Sequence, residues 1–401
     1  MKSNKKTNII VVGGGFGGVK SALKLASYSE LFNITLISDL PYLVYYPTLF
    51  HSALGQKTNL TSIELSHIFN KKNVNLVHGK AVSIDRKSKQ IILEDNSTHS
   101  YDKLILSMGE VANYFNIDGL DKFSYSVKSE PEVIKFNRHL HDYLLTNKRP
   151  DHNYFVIGAG PTGIELASRL PEYINYLMDL HDIEHKTVRV ELIEARNQLL
   201  PMFSKKYSQQ IAHRLAKLGV SVKLNSAVTG LNENQLFING TGQDSNTVIW
   251  TAGVSTNPFY KNNEFIINKR GKVTTDVYLQ TEEDIFIAGD NASTPYSGLA
   301  QTALNDGVFI ANNIIRQKKN KMMRSYCPKV PISIIPVGKK WAGFSYKKIS
   351  LFGFSAAILR QFGDLDGYLK LLPLSQAFKL WLESFADEPN DCIYCSTQNN
   401  L

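Results

Sequence analysis

Two copies of one glycine-rich pattern, about 145 residues apart, constrain the fold of this 401-residue chain more than any other feature. In each copy a short apolar strand leads into three spaced glycines, a helix-patterned stretch follows, and a second strand comes next. The motifs are Gly13-x-Gly15-x-x-Gly18 and Gly158-x-Gly160-x-x-Gly163, with strands predicted at 9–12, 34–37, 154–157 and 188–193 and helices at 19–28 and 164–170. Two such units predict an α/β fold with two Rossmann-like domains.

The glycines occupy the places that a dinucleotide site requires. The first makes the tight turn, the second lets a pyrophosphate approach the backbone, and the third lets the helix pack closely on the strand. The phosphates then lie at the helix N-terminus. One such motif is weak evidence, but a strand before it and a helix after it, in both copies, favour two dinucleotide sites.

An acidic residue at the end of the second strand of such a unit holds the adenosine ribose. In the first unit the candidate is Asp39, although a solvated loop aspartate is the alternative. In the second unit it is Glu194, which favours NADH because a carboxylate repels the 2′-phosphate of NADPH. Arg196 leaves NADPH open, because an arginine can accept that phosphate.

A further apolar strand ends in Gly289-Asp290. The glycine lets the backbone approach a ligand, and the carboxylate can accept a hydrogen bond from a sugar hydroxyl. The alternative is an aspartate that caps the turn at 292–293.

The composition is that of an ordinary globular protein. Apolar residues make up 43% of the chain and charged residues 20%, which excludes a disordered chain and a disulfide-stapled miniprotein. Three cysteines, at 327, 392 and 395, are too few for a disulfide framework and fit a reducing compartment. Neither a signal-peptide pattern nor an apolar stretch of about 18 residues is found, so we expect a cytosolic protein without a membrane-spanning helix.

The positive charge is concentrated near the C-terminus. Residues 326–381 contain eight Lys or Arg against two Asp, a net of +6 out of the chain's +9. Apolar residues recur at helical spacing over 351–362 and 374–382, and basic residues, Arg360 among them, surround them. This pattern predicts amphipathic helices on an anionic membrane surface; the alternative is helices packed on the body of the protein or at a homodimer interface. A nucleic acid partner is disfavoured, because the aromatics form no stacking platform.

We predict no metal site. His181 and His185 are four residues apart within 171–186, an insertion that has the pattern of a solvated surface, and no third ligand is evident. Cys392-x-x-Cys395 lies on a polar tail and fits a redox-active or metal-binding pair, or simply two reduced thiols.

The order of motifs over residues 8–315 resembles that of the two-dinucleotide-domain flavoproteins of the pyridine nucleotide-disulfide oxidoreductase superfamily, and most of all the type II NADH dehydrogenases. The resemblance is carried by the two fingerprints and by the runs Leu104–Gly109, Ile249–Val254, Ala288–Asp290 and Ala300–Ala303. It implies a glutathione-reductase-like architecture with FAD on the first fingerprint and NADH on the second.

The implied reaction is transfer of two electrons from NADH through FAD to a membrane quinone (menaquinone or ubiquinone), without proton pumping, by a peripheral protein on the cytoplasmic face of the cell membrane. The alternatives are an NADH-dependent reductase of a soluble acceptor and an NADH-responsive redox-signalling flavoprotein. The implied domains are 1–120 (FAD, first part), 121–252 (NADH), 253–325 (FAD, second part) and a membrane-association or dimerisation region at 326–401.

The resemblance also assigns roles to single residues. Glu165 faces the flavin and the nicotinamide, and Gln301 lies beside the flavin and the quinone; these are the implied catalytic residues. The implied FAD residues are Gly13, Gly15, Phe16, Gly18, Ser38, Asp39, Pro47, Gly109, Asp290, Ala300 and Gln301. The implied NADH residues are Gly158, Gly160, Pro161, Thr162, Gly163, Glu165, Glu194, Ala252 and Gly253.

The chain departs from the family pattern at two positions. The family has its ribose acid where Ser38 stands, one residue before Asp39, and Asn305 replaces a glutamine on the quinone side. Disulfide reductases of this architecture carry a cysteine pair soon after the first fingerprint. Because no cysteine precedes Cys327, a flavin-to-disulfide relay of that kind is excluded.

Overall fold

The computed structural model describes residues 5–56 and 60–385. Its N-terminal part alternates strands with helices. The elements are β1 Thr7–Val12, α1 Phe16–Ala26, β2 Phe32–Ser38, β3 Tyr42–Val44, α2 Tyr46–Ala53, β4 Ser62–Glu64, α3 Leu65–Ile68, β5 Asn75–His78, β6 Ala81–Asp85, β7 Gln90–Leu93, β8 Thr98–Ser100, β9 Lys103–Leu106 and β10 Glu110–Ala112.

The middle of the chain repeats this alternation. Its elements are α4 Leu120–Phe123, α5 Glu130–Asn147, β11 Tyr154–Ile157, α6 Pro161–Leu180, β12 Val190–Ile193, α7 Lys205–Lys217, β13 Val220–Lys223, β14 Val228–Leu231, β15 Gln235–Ile238, β16 Thr241–Asp244, β17 Thr247–Trp250 and β18 Val254–Thr256.

The last part ends in two helices. Its elements are α8 Pro258–Asn262, β19 Gln280–Glu282, β20 Ile285–Ile287, a 3-10 turn Gly289–Asn291, α9 Ala300–Lys318, β21 Ser333–Pro336, β22 Ala342–Tyr346, β23 Ile349–Gly353, α10 Phe354–Leu369 and α11 Leu374–Glu383.

Two parallel sheets form the frame of the molecule. The first has the order β19-β20-β9-β1-β2-β5, with β19 alone antiparallel, and the second has the order β13-β12-β11-β17. In both, the strand before the glycine motif lies inside the sheet and is buried, as its β-branched composition requires. The ribbon β10–β18 joins the two bodies. The predicted α/β fold with two Rossmann-like units is confirmed.

Two local predictions were wrong. The sequence over residues 73–93, with turn residues at 85–87 and 95–96, predicts antiparallel strands. Instead β5 extends the parallel sheet beside β2, and the antiparallel pairing starts at β6. The stretch 171–186 was expected to be a solvated insertion. Instead α6 continues through Pro171 to Leu180, because Tyr173, Ile174 and Leu177 form an apolar stripe that is buried in the core.

The C-terminal helices pack on the first body through one side and leave the other side uncovered. Tyr368, Leu371 and Ala377 are buried in the core under the first sheet. On the other side Phe354 and Leu374 are 64% and 65% exposed. Leu351, predicted to continue the helical pattern, lies in β23 instead. Among residues 5–56 and 60–385, no helix has the length and apolar character needed to cross a membrane.

Helices α1 and α9 cross at backbone contact, and this contact holds the first glycine turn in place. A Cβ at Gly307 would lie 2.3 Å from the carbonyl oxygen of Gly17, which is backbone and cannot yield cheaply. We therefore expect Gly307→Ala to lower the free energy of unfolding by about 1–3 kcal/mol, measured by urea denaturation.

Gly363→Ala is the matched control. Gly363 lies within α10, and its added Cβ would lie 3.9 Å from the Cδ1 atom of Ile334, an ordinary van der Waals distance. This variant should be neutral or more stable by up to about 1 kcal/mol, because alanine is the better helix former. Equal effects of the two substitutions would contradict the close contact between α1 and α9.

Candidate active site

One cleft of about 480 Å³ lies where the two bodies meet. It is lined by the first glycine turn, by the loops after β2, β9 and β20, and by the start of α6 with the end of β17. The lining residues that the sequence had singled out are Gly13, Gly15, Phe16, Ser38, Asp39, Gly109, Thr162, Glu165, Asp290 and Ala300. The cleft therefore brings parts of both fingerprints together.

The glycine turns leave room for a dinucleotide. At Gly15 and Gly160 an added Cβ would meet no atom within 4 Å, so the space beside both middle glycines is open. Each of these residues is the N-cap of its helix, α1 or α6, and neither helix has an acidic residue in its first turn. The backbone N–H groups at both helix starts can therefore donate hydrogen bonds to a pyrophosphate, and both turns fit that group.

The other glycines are needed for close packing. Gly13 has φ +110°, and its Cβ would lie 2.1 Å from the carbonyl oxygen of Ser107. At Gly18 and Gly163 a Cβ would lie 2.0 Å from the carbonyl oxygens of Gly13 and Gly158. Only glycine permits these approaches of helix to strand.

The carboxylate at the end of β12 is tied to the second glycine turn. Glu194 Oε2 accepts a hydrogen bond from the N–H of Ala159 at 3.0 Å, and Oε1 accepts one from the N–H of Arg196 at 2.9 Å. In the first body, Ser38 is buried against Gly14, whereas Asp39 is exposed at the cleft. Of these two residues, Asp39 is therefore the one whose side chain can reach a ribose bound in the cleft.

The turn after β20 points Asp290 into the cleft. The alternative role, capping of 292–293, is wrong, because the N–H groups of Ala292 and Ser293 donate to the carbonyls of Gly289 and Val273. Lys272 Nζ donates to the carbonyl of Asp290 at 2.7 Å and also to the carboxylate of Glu110. Burial raises the pKa of Asp290, and the Lys272 ammonium opposes that rise.

Glu165 is a buried carboxyl group at the meeting point of the two bodies. It lies in the second turn of α6, and the residue is 8% exposed. Burial raises its pKa to about 8; the Arg360 guanidinium opposes this rise and Asp364 adds to it. The Arg360 Nη1 to Glu165 Oε1 distance is 3.8 Å. Glu165 therefore carries a proton at neutral pH and can exchange it near that pH.

Arg360 was assigned to the lipid-facing basic residues, and this was wrong. Its side chain is 16% exposed, and its Nε donates to Asp364 Oδ2 at 3.0 Å. The guanidinium also donates to the carbonyls of Ile334 and Pro47. The sequence held a usable signal: Arg360 and Asp364 are four residues apart on one helix face, the spacing of an internal ion pair.

Several predicted residues lie outside the lining of the cleft. Gln301 directs its side-chain oxygen to the N–H of Ile332 at 3.0 Å. Two residues before the predicted Pro47, Tyr45 is buried and stacks on Tyr368, with ring centroids 4.4 Å apart, while Tyr46 faces the cleft. The other predicted residues outside the lining are Gly18, Pro47, Gly158, Gly160, Pro161, Gly163, Glu194, Ala252 and Gly253.

The histidine pair considered as a metal site does not come together. His181 follows the end of α6 and contacts buried His141 (Nδ1 to Nε2 2.8 Å), while His185 binds Asp179. Within the described ranges, no group of three or more His, Cys, Asp or Glu is placed to hold a metal. Cys327 is exposed, and the Cys392-x-x-Cys395 motif lies outside the described residues.

Known proteins share both the sequence pattern and the fold. Two relatives named type II NADH:quinone oxidoreductase are each 26% identical to this chain. The match to the protein of Staphylococcus epidermidis (strain ATCC 12228) covers 93% of this chain and 98% of the relative. The match to the protein of Staphylococcus aureus (strain NCTC 8325) covers 78% of this chain and 82% of the relative. The resemblance recognised in the sequence is thereby confirmed.

Solved structures with this fold include NDH2 from Plasmodium falciparum in complex with NADH, with a TM-score of 0.81 and 20% identity over 95% of this chain and 98% of that one. The sulfide:quinone oxidoreductase of Aquifex aeolicus has a TM-score of 0.77 and 20% identity over 96% and 98%. The sequence pattern of the pyridine nucleotide-disulphide oxidoreductases matches residues 7–307, and the chain belongs to that family.

Proposed function

We propose that the chain is an FAD-dependent NADH:quinone oxidoreductase that works without proton pumping. The observation that carries the proposal is the cleft that the first glycine turn lines and that Thr162 and Glu165 of the second fingerprint reach. The relatives named type II NADH:quinone oxidoreductase support the same reaction.

In this proposal the first fingerprint holds FAD and the second holds NADH. The start of α1 receives the FAD pyrophosphate, Asp39 the adenosine ribose, and Asp290 the ribityl hydroxyls. FAD, when bound, would take two electrons from NADH and give them to a quinone. The protein's task is to hold the two reactive rings face to face and to keep water out.

Glu194 sets the preference for NADH over NADPH. Its two bonds to the N–H groups of Ala159 and Arg196 hold its carboxylate beside the second glycine turn, where a 2′-phosphate would add a second negative charge. Arg196 is exposed and is bonded to Glu194 through its backbone.

Glu165 serves as a proton store for the reaction. A quinone that accepts two electrons also takes up two protons, and a carboxyl with a pKa of about 8 beside the cleft can give one at neutral pH. Arg360 stabilises the carboxylate that remains, because its charge is 3.8 Å away.

The uncovered face of the C-terminal region supports a peripheral membrane position, which we assign to the cytoplasmic side. The exposed apolar residues on it are Ile349, Leu351, Phe354, Ile358, Leu359, Phe362, Leu369, Leu374, Phe378 and Leu382. Lys347 and Lys348 are exposed at the β22–β23 turn, and Lys379 is exposed on α11. Apolar side chains and lysines on one face suit an anionic bilayer, where the quinone also resides.

The first test separates the two dinucleotide sites. Gly15→Val and Gly160→Val are matched, since both glycines have extended backbones that valine can adopt and both have open space at Cβ. We expect Gly15→Val to abolish FAD binding. The Gly160→Val protein should still bind FAD, but NADH should no longer reduce that flavin. This is measured by flavin absorbance under anaerobic conditions.

The wild-type protein provides the reference in this test. Reconstituted with FAD and reduced by NADH, it should be reoxidised by menadione or by a short-chain ubiquinone. A wild-type protein that binds no FAD, or whose reduced form reacts equally slowly with and without quinone, would refute the proposed function.

The second test concerns Glu165. Because its pKa is raised on folding, the protonated group favours the folded state at low pH, and this contribution is lost as the pH rises towards about 8. Compared with Glu165→Gln, wild type should lose stability on the order of 1 kcal/mol per pH unit between pH 5.5 and 7.5, measured by urea denaturation.

Glu172→Gln, on the same helix but exposed, is the control and should show no such trend relative to wild type. If the difference between wild type and Glu165→Gln were the same at both pH values, Glu165 would not hold its proton near neutral pH.

The third test concerns the membrane face. Replacing Phe354, Phe362 and Leu374 by serine should weaken binding to anionic vesicles at least about tenfold in co-sedimentation, since each of these side chains loses apolar burial. Serine at Met202, Ile266 and Met322, which are apolar, lie elsewhere in the chain and are even more exposed, is the control. Unchanged vesicle binding, with a dimer that dissociates instead, would assign this face to a homodimer.

A further inference from the structure

A carboxyl group behind the cleft is not used by any step above. Asp306 lies in the second turn of α9, and the residue is fully buried, with 0% exposure. Its Oδ2 accepts a hydrogen bond from the N–H of Gly289 at 3.2 Å, and its Oδ1 accepts one from the hydroxyl of Tyr326 at 2.5 Å. A buried carboxyl without a compensating cation is costly to keep, so its partners indicate what it does.

The first partner is the glycine that begins the Asp290 turn. Gly289 has φ +78°, and an added Cβ would lie 3.3 Å from the Cβ of Ala303 on α9. The N–H that Asp306 accepts from therefore belongs to the residue that sets the direction of the chain into Asp290. Asp290 itself lines the cleft.

The second partner holds Asp306 in place from behind. Tyr326 lies in the segment between α9 and β21, its backbone N–H donates to the carbonyl of Val277 at 2.7 Å, and its ring packs edge-on against Phe309. Tyr326 is thus anchored at three points. The Asp306 carboxylate thus accepts two hydrogen bonds, one from the hydroxyl of this anchored ring and one from the backbone N–H of the turn.

We propose that Asp306 is a positioning residue of the flavin site: by accepting the Gly289 N–H it fixes the turn that directs the Asp290 carboxylate at the ribityl chain. This inference rests on the proposed function, because it takes the occupant of the first site to be FAD. Burial raises the pKa of Asp306 to about 7, and the neighbouring Asp290 carboxylate adds to the rise. The group therefore changes charge beside the flavin site near neutral pH.

The test measures FAD affinity and the environment of the flavin. Asp306→Leu keeps the branched shape of the side chain and removes both acceptors, so the dissociation constant for FAD should rise about tenfold, measured by flavin fluorescence. The visible circular dichroism of the bound flavin should change as well. Asp306→Asn keeps an oxygen that can accept the Gly289 N–H, and it should restore affinity to within about threefold of wild type.

Asn313→Leu is the matched control. Asn313 is also buried on α9 and ties it to the same connecting segment, through Arg324, by two hydrogen bonds of 3.0 Å. It does not touch the Asp290 turn, so its loss should loosen the segment and leave FAD affinity within about twofold of wild type. If Asn313→Leu weakened FAD binding as much as Asp306→Leu, the effect would be one of general packing and the proposal would be overturned.

The outcomes separate this inference from the proposed function. Wild type without FAD affinity refutes the function, whereas wild type and Asp306→Leu with equal affinity and equal dichroism refute only the role of Asp306. If Asp306→Leu fails to fold, Tyr326→Phe tests the proposal instead, because it removes the hydroxyl that donates to Asp306 and keeps the ring. It should weaken FAD binding about threefold with an altered flavin dichroism, and an unaltered affinity and spectrum would overturn the proposal.

Discussion

The close approach of backbone to backbone at the glycine turns is the constraint on which the rest of the structure depends. Gly18 and Gly163 let their helices lie against the preceding turn, and Gly307 lets α9 lie against α1. These contacts leave the N–H groups at the starts of α1 and α6 without side-chain acceptors and directed at open space. The capacity of both helix starts to bind an anion is therefore a consequence of packing, and it requires no basic side chain.

Several carboxyl groups lie in or directly behind this cleft, and they differ in the positive charge that lies near them. Glu110 is paired with Lys272, which also holds the backbone of Asp290. Glu165 is close to Arg360, at a distance that allows charge attraction without a short hydrogen bond. Asp306 has only neutral donors. Burial raises the pKa of Glu165 to about 8 and that of Asp306 to about 7, so both groups can gain or lose a proton near neutral pH.

Sequence patterns predicted the two sheets and both glycine turns, because the signals for them are local: β-branched strands, spaced glycines and apolar periodicity. A buried strand that ends in Gly-Asp also indicated Asp290 as a ligand-facing residue, whereas Glu165 was assigned to the site only by the family resemblance. What they missed depends on distant packing. The continuation of α6 through Pro171 requires the partners of Tyr173 and Ile174, and β5 joins the parallel sheet only because β2 offers it an open edge.

The same limit explains why Arg360 and Asp306 were not identified. Apart from Asp364 four residues later, nothing in the sequence separates Arg360 from the lysines that surround the apolar residues of α10, and only the packing of that helix on Pro47 and Ile334 buries it. Residues two positions away on either side, Ile358 and Phe362, remain exposed. Helix α10 thus carries an uncovered apolar face and, on its opposite side, the cation nearest to Glu165. A deletion of this helix would remove both at once, so only single substitutions on one face can separate membrane binding from the chemistry of the cleft.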